Sequence, residues 1–102
     1  MKIPKTVRVL AHPYRVEFVD GIINPDRRGA IGQTCCLSLT IKLDKTQQPS
    51  TIAATFLHEL LHAIDWTYFE DKLFSDDVEE KTDRLAEALH QVLSDMGVTF
   101  ET

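Results

Sequence analysis

The period of the apolar positions changes near the middle of the chain. Val7 and Val9 share one face of a short stretch, Thr6–Leu10, and Tyr14, Val16 and Phe18 alternate with Arg15, Glu17 and Val19. Period-2 alternation predicts half-buried strands. Asp20-Gly21 marks a turn, and Asn24-Pro25-Asp26-Arg27-Arg28-Gly29 reads as an exposed loop. A third strand is predicted where Leu37, Leu39, Ile41 and Leu43 point one way and Cys36, Ser38, Thr40 and Lys42 the other. Such alternation makes a sheet with one wet face.

Beyond Gln48 the spacing becomes helical. Ser50 is a candidate N-cap, and from Ile52 to about Tyr68 neither Gly nor Pro interrupts the chain. Ile52, Phe56, Leu60 and Ala63 recur on one side, with Leu57, Leu61 and Ile64 beside them. The pattern breaks around Glu70–Phe74. Ser75 and Asp76 offer caps for a second helix, Asp76-x-x-Glu79 having the form of a capping box. Val78, Thr82, Leu85, Leu89, Val92 and Met96 form its predicted buried stripe, widened by Ala86 and Leu93, and Gly97 ends it. The fold class expected is α+β: a small antiparallel or mixed N-terminal sheet packed on two long helices. A single domain over 1–102 is expected, with a strand-rich part at 1–48 and a helical part at 49–97.

Composition narrows the chemistry. The chain of 102 residues has 11 Lys+Arg against 16 Asp+Glu, a net charge of −5. Residues 1–48 carry eight basic and four acidic side chains (+4), and residues 49–102 carry three and twelve (−9). No basic patch or aromatic-interleaved stripe suggests nucleic acid. No apolar window reaches the ~18 residues of a membrane span, and the start lacks the apolar region of a signal peptide. The adjacent Cys35 and Cys36 cannot staple distant segments, and as free thiols they suit a reducing cytoplasm.

The chemistry concentrates in His58-Glu59-Leu60-Leu61-His62, an H-E-x-x-H inside the first predicted helix. Histidines at i and i+4 lie one turn apart on one face, so both imidazoles can reach one tetrahedral zinc. Glu59, rotated about 100° from His58, sits where a general base can act on a water. Catalytic zinc keeps three protein ligands, so one ligand is missing from the motif. Glu79 on the second helix is the leading candidate. Asp83, one turn on, would accept a hydrogen bond from the far nitrogen of a zinc histidine. Asp65 and Glu80 remain alternative third ligands.

His58–Ala63 followed by Glu79-x-x-x-Asp83 resembles the gluzincin metallopeptidases. Glu79-x-x-Thr82-Asp83-x-Leu85-Ala86 also looks like the glutamate helix of the repressor-cleaving metallopeptidases of phages and mobile elements. A short chain with strands first is similar to the minigluzincins and to small phage-encoded homologues. The resemblance spans roughly residues 35–97 and is specific only at His58–Ala63 and Glu79–Ala86. It implies a minimal zincin-like fold, one Zn²⁺ per chain and hydrolysis of peptide bonds in a peptide or protein substrate. An extended substrate would pair with an exposed strand edge, expected around Ser38–Lys42.

The alternative is a zinc-binding or protein-interaction module on the same scaffold, catalytically silent or latent with its own tail, Val98–Thr102, in the cleft. Tyr68, Tyr14 and His12 are candidates for stabilising an oxyanion, and no spacing selects among them. Cys35 and Cys36 could bind metal, but small buried or rim residues are the simpler reading.

Overall fold

The computed structural model describes residues 1–22, 30–73 and 78–101. Four strands, β1 (Thr6–Val9), β2 (His12–Val19), β3 (Gly32–Cys35) and β4 (Thr40–Asp44), precede two helices, α1 (Pro49–Phe69) and α2 (Val78–Asp95). The sheet order is β1-β2-β4-β3. β1 pairs with β2 and β3 with β4 antiparallel, whereas β2 and β4 run parallel in the middle. The architecture is therefore α+β with a mixed sheet.

α1 lies across the inner face of the sheet, and α2 packs on α1 without reaching the sheet. The core forms between sheet and α1 from Val9, Tyr14, Val16, Ile41, Leu43, Ile52 and Phe56, among others. α1 is buried on two sides because it is the middle layer, which is why Thr55, His58 and Glu59 are as buried as its apolar residues. Phe100 stands edge-on to Phe56 with ring centroids 5.6 Å apart, and Glu101 bridges to Lys2. The C-terminal tail thus rests on the N-terminal segment, not in a cleft.

Several local expectations change. The predicted strand over Cys36–Leu43 begins only at Thr40; Cys36–Leu39 is the turn of the β3–β4 hairpin. Leu39 there has φ 53°, and Leu37 is 94% exposed. Alternation continued through the turn by coincidence of composition. β3 went unpredicted because Gly32-Gln33-Thr34-Cys35 has no apolar periodicity. It is the edge strand, so the open edge expected at Ser38–Lys42 belongs to β3, and β4 lies inside the sheet.

α1 starts one residue before Ser50, with Gln48 at the cap making no side-chain cap bond. Pro49 in the first turn needs no hydrogen bond for its missing N–H, so the helix begins there without Ser50. The proposed caps Ser75 and Asp76 lie outside the described residues. At the other end of α2 the N–H groups of Gly97 and Val98 reach the carbonyls of Ser94 and Leu93, at 3.0 and 2.8 Å. With Gly97 at φ 83°, this is a Schellman ending. The buried stripe of α2 is narrower than the one predicted: of its residues Thr82 and Ala86 are buried, while Leu85, Val92 and Met96 are exposed. The face turned to α1 is the one that carries Glu79 and Asp83.

Candidate metal centre

Three side chains converge where α1 and α2 cross. His58 and His62 lie one turn apart, with their Nε2 atoms 3.0 Å from each other. The carboxylate of Glu79, in the first turn of α2, places Oε2 3.2 Å from His58 Nε2 and Oε1 2.9 Å from His62 Nε2. A tetrahedral zinc with bonds of about 2.0–2.1 Å separates its ligand atoms by about 3.3 Å. Each histidine stands within a few tenths of an ångström of that spacing from the other and from one oxygen of the Glu79 carboxylate.

Asp83 Oδ1 lies 2.7 Å from His58 Nδ1. A carboxylate at that distance accepts the Nδ1 proton and leaves the Nε2 lone pair facing the cluster. Glu79 and Asp83 therefore act from successive turns of one helix on opposite nitrogens of one ring.

Glu59 is held differently. Its carboxylate Oε1 accepts a hydrogen bond of 2.8 Å from the hydroxyl of Thr34 on β3, which also lies 3.0 Å from the Glu59 carbonyl oxygen. Oε2 is 3.8 Å from His58 Nε2, too far for a hydrogen bond and close enough to share a water with the histidines. Gly32 permits this approach of β3 to α1. A Cβ there would stand 2.4 Å from Thr55 Cγ2, 2.9 Å from Glu59 Cγ and 3.0 Å from Glu59 Oε2. Sequence reasoning missed both Thr34 and Gly32. No spacing links them to the H-E-x-x-H, and the only signal was two small residues two apart before the third apolar run.

The alternative ligands are placed elsewhere. Asp65 is 2% exposed, and its Oδ1 accepts the backbone N–H of Leu73 at 3.0 Å. Its own carbonyl accepts the N–H of Glu70 and of Asp71, so Asp65 fastens the turn that ends α1. Both Glu70 and Asp71 have positive φ there, 54° and 62°. Glu80 is exposed and pairs with Arg84 at 2.8 Å. Tyr14 is fully buried in the core, Tyr68 is exposed, and His12 stands edge-on to Trp66 at 6.3 Å. Cys35 is exposed at the end of β3, its pKa drawn down chiefly by hydrogen bonding from the Ser38 side chain. Burial pushes the thiol of Cys36 up.

Two open cavities flank the cluster and share Gly32 and Glu59 in their walls. One, of about 540 Å³, runs between the first half of α1, α2 and the start of β3. The other, of about 300 Å³, passes His62, Glu79, Trp66 and Asp71. β3 borders both. The Asp44 N–H bonds to the Ile31 carbonyl, so in the antiparallel alternation Gly32 and Thr34 turn their own N–H and C=O groups to the open edge. Among the described residues, the structure thus combines a three-donor cluster, a buried carboxylate beside it and a strand edge with no pairing strand.

Compared with known proteins, the chain matches no family model, no curated protein and no solved structure.

Proposed function

We propose that the protein is a zinc-dependent peptidase of the gluzincin type, with His58, His62 and Glu79 as metal ligands and Glu59 as general base. The observation that carries the reading is the convergence of two Nε2 atoms and one carboxylate at 2.9–3.2 Å, with Asp83 on the far nitrogen of His58. A packing role for two histidines requires neither a third donor at ligand spacing nor an orienting carboxylate. A zinc ion there supplies Lewis acidity at a carbonyl and makes water acidic enough to attack near neutral pH.

The chain's own groups do the rest. Thr34 fixes Oε1 of Glu59, so Oε2 is the oxygen turned to the cluster, and it takes the proton of the attacking water. The same carboxyl delivers that proton to the leaving amine. Asp83 keeps the His58 proton on Nδ1 throughout. The free edge of β3 at Gly32 and Thr34 suits an extended peptide, which would add as a strand along the groove. The reading in which the tail occupies the groove has no support from the fold, since Phe100 is packed on Phe56.

The test is elemental analysis of the purified protein and of Glu79→Ala, followed by peptide hydrolysis by wild type and Glu59→Gln. The expected result is one zinc per chain, greatly weakened in Glu79→Ala and retained in Glu59→Gln, with hydrolysis lost in both variants. Absence of zinc in the wild type after reconstitution would remove the reading. Unchanged hydrolysis by Glu59→Gln would remove the general base.

A further inference from the structure

We infer that the groove selects extended peptides with basic side chains, lysine or arginine flanking the bond to be cut; this rests on the peptidase reading of the same site. Glu59 and Glu79 face the two histidines, and a divalent ion held there takes up their charge. Three further carboxylates remain. Asp83 and Glu87 stand one helical turn apart on the α2 wall of the larger cavity, and Asp71 lies in the smaller one. Asp83 gives one oxygen to His58 and keeps its side chain 63% exposed. Among the described residues, no lysine or arginine lines either cavity, and none forms an ion pair with Glu87 or Asp71.

Among the described residues that line the larger cavity, opposing positive charge is small. The first turn of α1, with Ser50 and Thr51 on the same cavity wall, presents about half a unit of dipole charge against two full carboxylates. His90 is the other group there that can carry positive charge besides His58.

Shape agrees with charge. Ala30, Ala54 and Ala86 line the larger cavity, so its walls leave room for a long side chain whose end reaches Asp83 and Glu87. In the smaller cavity Trp66, 39% exposed and in a T-shaped contact with His12, lines the wall together with Asp71. A cation over an indole face beside a carboxylate is doubly attracted. A neutral apolar peptide would offer no ion-pair partner to Glu87 or Asp71 and none to the second oxygen of Asp83.

The test uses zinc-loaded Glu59→Gln protein, which binds without cutting, titrated with fluorescent short peptides that differ only in having arginine, glutamine or glutamate around the central bond. The arginine peptide should bind about tenfold more tightly than the glutamine peptide, with the advantage shrinking as salt is raised. Glu87→Gln and Trp66→Leu should each reduce that advantage about threefold while retaining one zinc per chain. Equal affinity for the three peptides, preference for glutamate or no binding at all would overturn the inference. Wild-type digestion of the same peptides separates the two readings. An arginine peptide that binds tightly yet stays whole supports the charge selection and sinks the peptidase. Equal cleavage of all three keeps the peptidase and sinks the selection.

Discussion

Removing Asp83 tests the geometry of the centre most directly, because its two effects differ in size and in their dependence on metal. The carboxylate sits 2.7 Å from His58 Nδ1, and its side chain is 63% exposed. In the metal-free protein, Asp83→Ala loses only a solvent-screened pair, about 0.2–1 kcal/mol. With metal bound, the histidine loses the acceptor that orients it and raises its basicity, which costs about 10–100-fold in affinity. That ratio is about 1.4–2.7 kcal/mol. At metal concentrations well above both dissociation constants it appears in full as lost stability. For a chain of this length each kcal/mol shifts Tm by about 4–8 °C, so the variant should melt about 6–20 °C below wild type in zinc. In chelator the gap should close to a few degrees. Asp83→Asn, which keeps an oxygen acceptor without the charge, should fall between. Differential scanning calorimetry with zinc and with chelator, beside a competitive zinc titration, reads all three. An equal drop in both conditions would make Asp83 a structural residue, and no drop in either would remove it from the site.

Gly32→Ala should destabilise the fold by about 1–3 kcal/mol in urea titration, since the added methyl meets Thr55 Cγ2 at 2.4 Å on a rigid helix; wild-type stability would mean that β3 and α1 are not so close. Asp65→Ala should cost about 1–3 kcal/mol by leaving the Leu73 N–H without its acceptor, and should leave zinc content intact; loss of zinc would restore Asp65 as a ligand. Asp44 accepts the hydroxyl and N–H of Thr46 at 2.7 and 2.9 Å, and these bonds hold its pKa below the ordinary value. A depressed carboxylate stabilises the fold above its unfolded pKa of about 3.9, and that contribution is lost as pH falls through the folded value. Asp44→Asn should therefore lose less stability than wild type on acidification from about pH 5 to about pH 2, measured as urea midpoints; parallel curves would refute the assignment.

What the sequence determined by itself was local. H-E-x-x-H at helical spacing puts His58 and His62 on one face of any helix that forms, and Glu79-x-x-x-Asp83 does the same for the second pair. Both helices and the strands β1 and β2 were legible for the same reason, because each is marked by a period that its own residues carry. Relations between elements were not. The parallel pairing of β2 with β4, the edge position of β3 and the narrow contact of α2 that leaves Leu85, Val92 and Met96 exposed depend on which surfaces meet. Hydrophobic alternation is the same for an edge and an interior strand, so Cys36–Leu43 read as one strand where the chain turns through four residues. Only the crossing of α1 and α2 brought the Glu79 carboxylate to both Nε2 atoms and turned Asp65 away to fasten Leu73. Only the packing of β3 on α1 brought Thr34 to Glu59, through a gap that a glycine without a Cβ keeps open.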